Sequence, residues 1–272
     1  GKSGGFICRP RPEVMQHMLN NNIGLVTVRQ VAEGIFNHGL ITDSIIESRI
    51  TLSNKGIGFL FPLYVCQNSD RESLFDKERN DDVKLPNIAS TILEKFRSHF
   101  GIQIKPEEIF HYIYAVLYSN IYRSRYAEFL KMDFPRIPFT SDVGLFQQMA
   151  DLGRRLADLH LLRAKELETP LARFQGHGNG RVEKVIYKEG RVYINQSQYF
   201  EPVPLEVWSY QIGGYQVCSK WLKDRKGRIL SLDEIKKYCQ IVTALKITID
   251  VQQQIDDLYP LIENAVINFI ER

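Results

Sequence analysis

The chain has 272 residues, of which 44% are hydrophobic and 25% charged, an ordinary balance for a soluble globular protein with a sizeable core. No apolar run approaches the roughly eighteen residues that a membrane-spanning helix needs, so none is predicted. The four cysteines are scattered and form no CxxC pair, which argues against a zinc site or a disulfide framework and favours reduced thiols in the cytoplasm.

The charge is distributed unevenly along the chain. The net charge is +3, which by itself indicates no particular partner. Residues 170–228, however, contain ten Lys or Arg against five Asp or Glu, a local balance of +5. Residues 70–84 contain four basic and six acidic residues, a local −2. A concentrated positive segment is suited to contact with nucleic-acid phosphates, although a solvated lysine-rich surface has the same composition.

Residues 1–66 are predicted to be rich in strands. Pro12 can begin a short helix through Met15 and Met18, because proline is tolerated in the first turn. Alternating and β-branched residues then indicate strands, with a turn before the last of them. The predicted strands are Gly24–Arg29, Ile41–Ile50 and Gly58–Val65, and the turn is Asn54–Gly56.

A charged loop is predicted at residues 67–85, and a helical block at 86–168. Apolar residues at helical spacing predict one helix that begins at Pro86 and ends at Gly101, and a second that begins at Pro106. A third helical segment covers Ile121–Lys131, and the two prolines of residues 133–138 keep the chain extended there. Ser141 or Asp142 then caps a long helix.

Strand patterns return in residues 169–232. Val182–Tyr187 and Arg191–Ile194 form a hairpin signature around Gly190, and Val207–Ile212 is predicted as a third strand. Residues 233–272 are predicted to be helical, with Ser231 and Glu234 as a capping box. The fold class is therefore α+β: strand-rich segments at both ends of a helical block, followed by a C-terminal helix. We expect strands from the two ends to pair into one sheet.

The common catalytic signatures are missing from the sequence. It contains no GxGxxG or GxxxxGK[ST] phosphate-binding loop and no HExxH pair. The Asn-Pro-Pro-Tyr tetrapeptide of amino-methyltransferases is also missing, as is a carboxylate–lysine cluster typical of nucleases. We therefore interpret the chain as non-catalytic, with no metal and no cofactor of its own.

The densest run of positive charge is Lys220–Arg228, called here the basic segment. Its five cations can follow a DNA backbone, or it can be a surface turn anchored by Trp221 in the core. Arg123 and Arg125 lie among tyrosines, where they can clamp phosphates or pair with Glu128 or Asp133. The candidate phosphate-contacting residues are Arg123, Arg125, Lys220, Lys223, Arg225, Lys226 and Arg228.

A second group of candidates could contact base edges. Gly176–Gly180, called here the glycine loop, carries polar side chains between glycines that can let the loop enter a groove or merely make it mobile. Arginine suits guanine edges and asparagine suits adenine. Tyr215 and Gln216 follow two glycines, where a tight turn is the alternative explanation. The candidates are Arg29, Gln30, Arg49, Arg173, Gln175, His177, Asn179, Arg181, Tyr215 and Gln216.

Long stretches of the chain resemble the C-terminal part of single-chain restriction–modification enzymes, the type ISP group and the related type IIG proteins. The resemblance spans nearly the whole chain without gaps inside its motifs. It is carried by His111–Tyr118, Tyr122–Lys131, Asp133–Phe139, Phe146–Leu161, Gly213–Val217 and the basic segment, with further similarity at Arg9–Met18 and Asn22–Leu25.

The resemblance implies that the chain is a target recognition domain that binds double-stranded DNA and has no membrane partner. In that family a nuclease, a helicase-like ATPase and an adenine methyltransferase precede this part on one polypeptide. The parent is thus expected to use S-adenosylmethionine and Mg²⁺, with ATP as a further candidate. The alternative is an interaction module that docks onto the methyltransferase and motor domains and couples recognition to them.

Overall fold

A computed structural model describes residues 12–19, 21–31, 34–47, 50, 57–66 and 84–267. Short 3₁₀ turns occur at Gln16–Met18 and Lys165–Glu168. The described helices are α1 (Pro12–Met15), α2 (Ser90–Phe100), α3 (Pro106–Tyr118), α4 (Asn120–Arg125), α5 (Ala127–Met132), α6 (Val143–His160), α7 (Leu205–Ser209), α8 (Val217–Lys223) and α9 (Leu232–Asn264). The described strands are β1 (Gly24–Val28), β2 (Leu40–Thr42), β3 (Gly58–Pro62), β4 (Tyr64–Cys66), β5 (Lys84–Pro86), β6 (Arg173–Gln175), β7 (Ile186–Lys188), β8 (Arg191–Tyr193), β9 (Tyr199–Glu201), β10 (Gln211–Ile212) and β11 (Tyr215–Gln216).

The centre of the helical block is the close pair α3 and α6. Buried Tyr112 of α3 stacks on Phe146 of α6, with ring centroids 4.9 Å apart. Gly153 of α6 lets the helices approach, because a Cβ there would overlap the backbone carbonyl of His111. The N-terminal sheet, with strand order β2-β1-β3, packs on this block through residues such as Val28 and Leu25.

A separate four-stranded antiparallel sheet, with strand order β6-β9-β8-β7, forms the C-terminal unit. Successive side chains of each strand point to opposite faces of the sheet, and one face is buried while the other faces solvent. The buried row crosses all four strands, and its members pack toward α9, where Tyr238 contacts Phe200 at a centroid distance of 4.4 Å. That row consists of Phe174, Phe200, Val192 and Tyr187.

The 33-residue helix α9 joins the two units. Its N-terminal half, with Tyr238 and Val242, belongs to the core beneath the C-terminal sheet. Its C-terminal half, with Val251 and Ile255, belongs to the core of the helical block. Because one rigid helix contributes to both cores, the C-terminal sheet has a defined position relative to the rest of the chain.

The fold class predicted from the sequence is confirmed, as are several element boundaries. Strand β1 and helices α3 and α6 lie where the patterns predict them, and the hairpin turns at Gly190 as predicted, but β7 covers only Ile186–Lys188 instead of Val182–Tyr187. Asp142 caps α6 by accepting a hydrogen bond from Leu145 N, and Ser231 with Glu234 forms the capping box of α9. Helix α2 ends at Gly101 in a left-handed conformation with φ 69°, as the pattern predicts.

Four expectations about elements are wrong. The strand at 41–50 ends at Thr42, whose hydroxyl accepts a hydrogen bond from Ser44 N and turns the chain. Pro86 ends strand β5, and α2 begins only at Ser90. Val207 lies in helix α7, because Pro204 supplies a favourable N-terminal φ and Val207 fills the core. The segment 121–131 breaks at Tyr126 into α4 and α5.

The expected pairing of strands from both ends into one sheet is also wrong. The N-terminal and C-terminal sheets are separate, since the helical block and α9 lie between them. A backbone hydrogen bond of 2.9 Å from Gly213 N to Asn37 O connects the β10–β11 turn to the N-terminal segment. The predicted turn at 54–56 and most of the predicted loop at 67–85 lie outside the described residues.

Candidate nucleic-acid interface

The glycine loop connects β6 to the rest of the C-terminal unit and lies at one end of the sheet. His177 and Asn179 are exposed on it, whereas the backbone of Gly180 is buried. At Gly176 φ is 91°, and a Cβ there would overlap the carbonyl of Ser197. This loop conformation therefore depends on glycine and on the close approach of a neighbouring loop.

The neighbouring loop, Asn195–Gln198, is called here the clamp loop and connects β8 to β9. It holds the glycine loop through two hydrogen bonds and the residue that follows the loop through a third. Ser197 Oγ donates to His177 O at 2.8 Å, Gln198 Oε1 accepts from Gly180 N at 2.8 Å, and Asn195 Nδ2 donates to Arg181 O at 3.1 Å. The glycine loop is thus fixed along its length, and the prediction of mobility is not supported by these contacts.

The basic segment lies against the other side of the same chain stretch. Its end and the residues directly after it pair with residues 180–182: Val182 N donates to Arg228 O at 2.9 Å, and Leu230 N donates to Gly180 O at 3.0 Å. Arg181 Nη1 also donates to Gly227 O at 2.8 Å. The two candidate regions that the sequence separates by some forty residues are therefore adjacent in the fold.

The structure divides the five cations of the basic segment into two groups. Lys220, Arg225 and Arg228 are engaged in ion pairs: Lys220 with Asp224, and both arginines with Glu234. Arg225 also stacks over Trp221, with its guanidinium carbon 3.5 Å from the ring centroid. Helix α8 includes only the first four residues of this segment, where half-buried Trp221 anchors it, as the surface-turn interpretation expects.

Lys223 and Lys226 form the other group. Both are exposed, and neither has an ion-pair partner among the residues that the structure describes. Exposed Arg173 and Lys184, in the same unit, are likewise outside the ion pairs of the described part of the chain. These side chains have no internal ion pair to break before they contact a phosphate, so they are better candidates for phosphate contact than Lys220 or Arg225.

The solvent-facing surface of the C-terminal sheet continues this charged region. Arg173 and Gln175 lie on this face of β6. The sequence patterns missed a cluster beside them: Tyr193 and Tyr199 pack with ring centroids 5.0 Å apart, and Arg191 lies 4.8 Å from the centroid of Tyr199. The alternation of these half-buried tyrosines with fully buried residues was the signal that could have identified this aromatic cluster on the solvent-facing side of the sheet.

Tyr215 and Gln216 belong to the small β10–β11 hairpin rather than to the sheet end. They are half-buried, and Lys220 Nζ lies 5.4 Å from the centroid of the Tyr215 ring. The turn of this hairpin contacts the N-terminal segment at Asn37. The tight-turn interpretation therefore accounts for the two preceding glycines.

The remaining candidates lie away from the C-terminal sheet. Arg29 pairs with Asp133 at 3.1 Å, and Gln30 is exposed next to it. Arg123 donates to Leu117 O and lies over the Tyr118 ring, and Arg125 pairs with Glu263. The predicted pairing of these two arginines with Glu128 or Asp133 is wrong, because Glu128 pairs with Lys131 instead. Arg49 lies outside the described residues.

A buried polar network lies behind Arg123 in the interior. Tyr114 Oη donates to His160 Nδ1 at 2.7 Å, and His160 Nε2 donates to Thr248 Oγ1 at 3.0 Å, since the threonine hydroxyl itself donates to Ala244 O. Burial, reinforced by Arg123, lowers the pKa of His160 to about 3. The ring is therefore neutral at pH 7, and the network connects α3, α6 and α9.

Known proteins share this fold. The chain is similar in structure to a nuclease-deletion mutant of the type ISP restriction–modification enzyme LlaGI in complex with a DNA substrate mimic. The TM-score is 0.59 and the sequence identity 19%, and the match covers 87% of this chain and 21% of the LlaGI chain. It is similar to the ATP-dependent type ISP enzyme LlaBIII bound to DNA, with a TM-score of 0.64, 20% identity, and coverage of 88% and 16%. It is similar to DrdV in a complex with DNA, with a TM-score of 0.66, 20% identity, and coverage of 90% and 25%.

At these identities the structural similarity establishes the fold. The chain spans between 16% and 25% of the length of these three proteins. Residues 2–254 match the sequence profile of the Type ISP C-terminal specificity domain, and the chain belongs to this family. No curated protein shows significant sequence similarity to the chain. Within the described residues, no helix is long and apolar enough to cross a membrane.

Proposed function

We propose that this chain recognises a specific sequence in double-stranded DNA through the end of the C-terminal sheet where the glycine loop meets the basic segment. Membership in a specificity-domain family supports the class of function. The observation that carries the location is the pairing of residues 180–182 with 227–230, which places candidate base-contacting and phosphate-contacting side chains side by side.

The two kinds of contact have different requirements. Phosphate contacts need accessible positive charge and tolerate flexible side chains, which suits Lys223 and Lys226. Base contacts need fixed positions, because discrimination depends on aligned hydrogen bonds to the base edges. His177, Asn179 and Arg181 are presented by a backbone that is hydrogen-bonded on both sides, which suits that second task.

The chemistry of restriction and modification belongs, in this proposal, to other domains of a longer polypeptide. The short share of the solved relatives that this chain spans supports such a parent. The parent would carry an adenine methyltransferase and a nuclease with a motor, using S-adenosylmethionine, Mg²⁺ and ATP. The chain by itself would transfer no methyl group to DNA, which an assay with labelled S-adenosylmethionine measures directly.

The test of sequence recognition begins with the motif. Mapping N6-methyladenine in DNA from cells that express the parent gene identifies the modified sequence. We expect this chain to bind a duplex with that motif at least tenfold more tightly than a duplex of the same composition in scrambled order, since a mismatched pair costs about 1–3 kcal/mol. Equal affinity for the two duplexes would contradict the proposal.

A further inference from the structure

We infer that Gln198 is a positioning residue for sequence recognition, which holds the glycine loop in the shape in which His177 contacts a base edge. This inference rests on the proposed function and assigns the task to particular residues. Gln198 itself is 3% exposed, so it has no direct access to a ligand. Any effect on DNA sequence preference must therefore pass through the residues that it holds.

The orientation of the Gln198 amide follows from its neighbours. Its oxygen accepts from Gly180 N at 2.8 Å and from Asn195 Nδ2 at 3.0 Å, and both of these groups are donors. The oxygen therefore bridges the glycine loop and the clamp loop. Gly178 allows this approach, because a Cβ there would lie 2.5 Å from the amide oxygen of Gln198.

The clamp loop and the glycine loop are held by side-chain hydrogen bonds in addition to those that pair the strands of the sheet. Asn195 Oδ1 accepts from the backbone N–H groups of both Ser197 and Gln198, at 3.0 and 2.7 Å, which fixes the clamp loop before it contacts its partner. Ser197 Oγ then donates to His177 O. A buried amide and a glycine-dependent backbone are costly for an ordinary surface connection, and they present an exposed imidazole at a defined place.

Within the glycine loop, His177 is better suited than Asn179 to contact a base. Asn179 Oδ1 already accepts from Arg181 N at 2.9 Å and so stabilises the turn. The His177 ring is exposed and makes no hydrogen bond in the described part of the chain, so both ring nitrogens are available. A ring nitrogen can donate to an acceptor such as the N7 or O6 atom of guanine in the major groove.

The experiment selects duplexes from a pool with randomised sequence and compares the enriched motifs of the unmodified chain and its variants. Gln198→Leu removes the bridging oxygen, and His177→Ala removes the contacting ring. We expect both variants to lose discrimination, by about tenfold, at the same base position. Gln252→Leu is the matched control, because Gln252 is also buried and makes two side-chain hydrogen bonds, to Tyr118 and Tyr210, which belong to neither the glycine loop nor the clamp loop.

Thermal unfolding of each variant separates lost stability from lost recognition. Gln198→Leu and Gln252→Leu should both lower the melting temperature, but only the former should change the motif. Ser197→Ala, at an exposed position, provides a milder change in the same direction if Gln198→Leu does not fold. An unchanged motif in a folded Gln198→Leu or in Ser197→Ala would overturn the inference while leaving the proposed function intact. Failure of the unmodified chain to enrich any motif would overturn both.

Discussion

Replacement of Lys223 and Lys226 by alanine should reduce the salt dependence of DNA binding. Both lysines are exposed, and no ion pair within the described residues competes for them. Each phosphate contact contributes about 0.9 to the slope of log K against log salt concentration. If each lysine contacts one phosphate, the double variant should therefore have a slope about 1.8 units shallower than the unmodified chain.

This change in slope corresponds to a measurable difference in affinity. Raising the salt concentration from 50 to 200 mM weakens binding by roughly 3.5-fold for each phosphate contact. Removal of two contacts should therefore reduce the total loss of affinity over that range by roughly twelvefold. Fluorescence anisotropy with a labelled duplex at several salt concentrations measures the slope. Because phosphate contacts carry no sequence information, the lysine substitutions should weaken binding to the motif and scrambled duplexes equally.

The matched control is the double variant Lys165→Ala/Lys188→Ala. These lysines are also exposed, but Lys165 lies in a 3₁₀ turn after the helical block, and Lys188 lies at the opposite end of the C-terminal sheet from the glycine loop. The control should leave the slope unchanged. Equal slopes for the Lys223/Lys226 variant and the unmodified chain, or an equal loss in the control, would refute the assignment of phosphate contacts.

Three further predictions concern stability. Gly153→Ala should lower the free energy of unfolding by about 1–3 kcal/mol, because its Cβ would overlap the α3 backbone. Gly144→Ala in the same helix should cost less, because its Cβ would approach only the Asp142 side chain, at 3.3 Å; urea unfolding measures both. The pKa of His160 is about 3 in the folded chain and near 6.5 in the unfolded chain, so lowering the pH between these values reduces the free energy of unfolding by up to about 1.4 kcal/mol per pH unit. His160→Gln removes this titrating group and should therefore reduce the loss of stability on acidification. Arg225→Ala should lower the melting temperature by several degrees, through the loss of its contacts with Trp221 and Glu234, and an unchanged melting temperature would contradict its structural role.

The local patterns of the sequence correctly predicted those helices whose ends are marked by capping residues. Asp142 begins α6 and Gly101 ends α2 because capping is a property of a few adjacent residues. The helix at Leu205–Ser209 was missed because its alternation also fits a strand, and only burial of Val207 in the tertiary core decides between them. Separation of the two sheets depends on packing around α9, which no local pattern contains.

The candidate site was predictable in composition but not in its arrangement. Charge density identified the basic segment, and the glycines identified the loop that lies beside it. Charge density could not distinguish Lys223 from Arg225, because the ion pair of Arg225 with Glu234 depends on where α9 begins. Gln198 carried no signal at all in the sequence, since its importance arises from contacts across two loops.

A structure of the chain bound to a duplex that carries the methylated motif tests the central claim most directly. The account predicts that the glycine loop enters a groove, with a His177 ring nitrogen within hydrogen-bond distance of a base edge, and that Lys223 and Lys226 lie against phosphates on the flanking backbone. A duplex bound against the N-terminal sheet or the helical block, with the glycine loop in solvent, would contradict it.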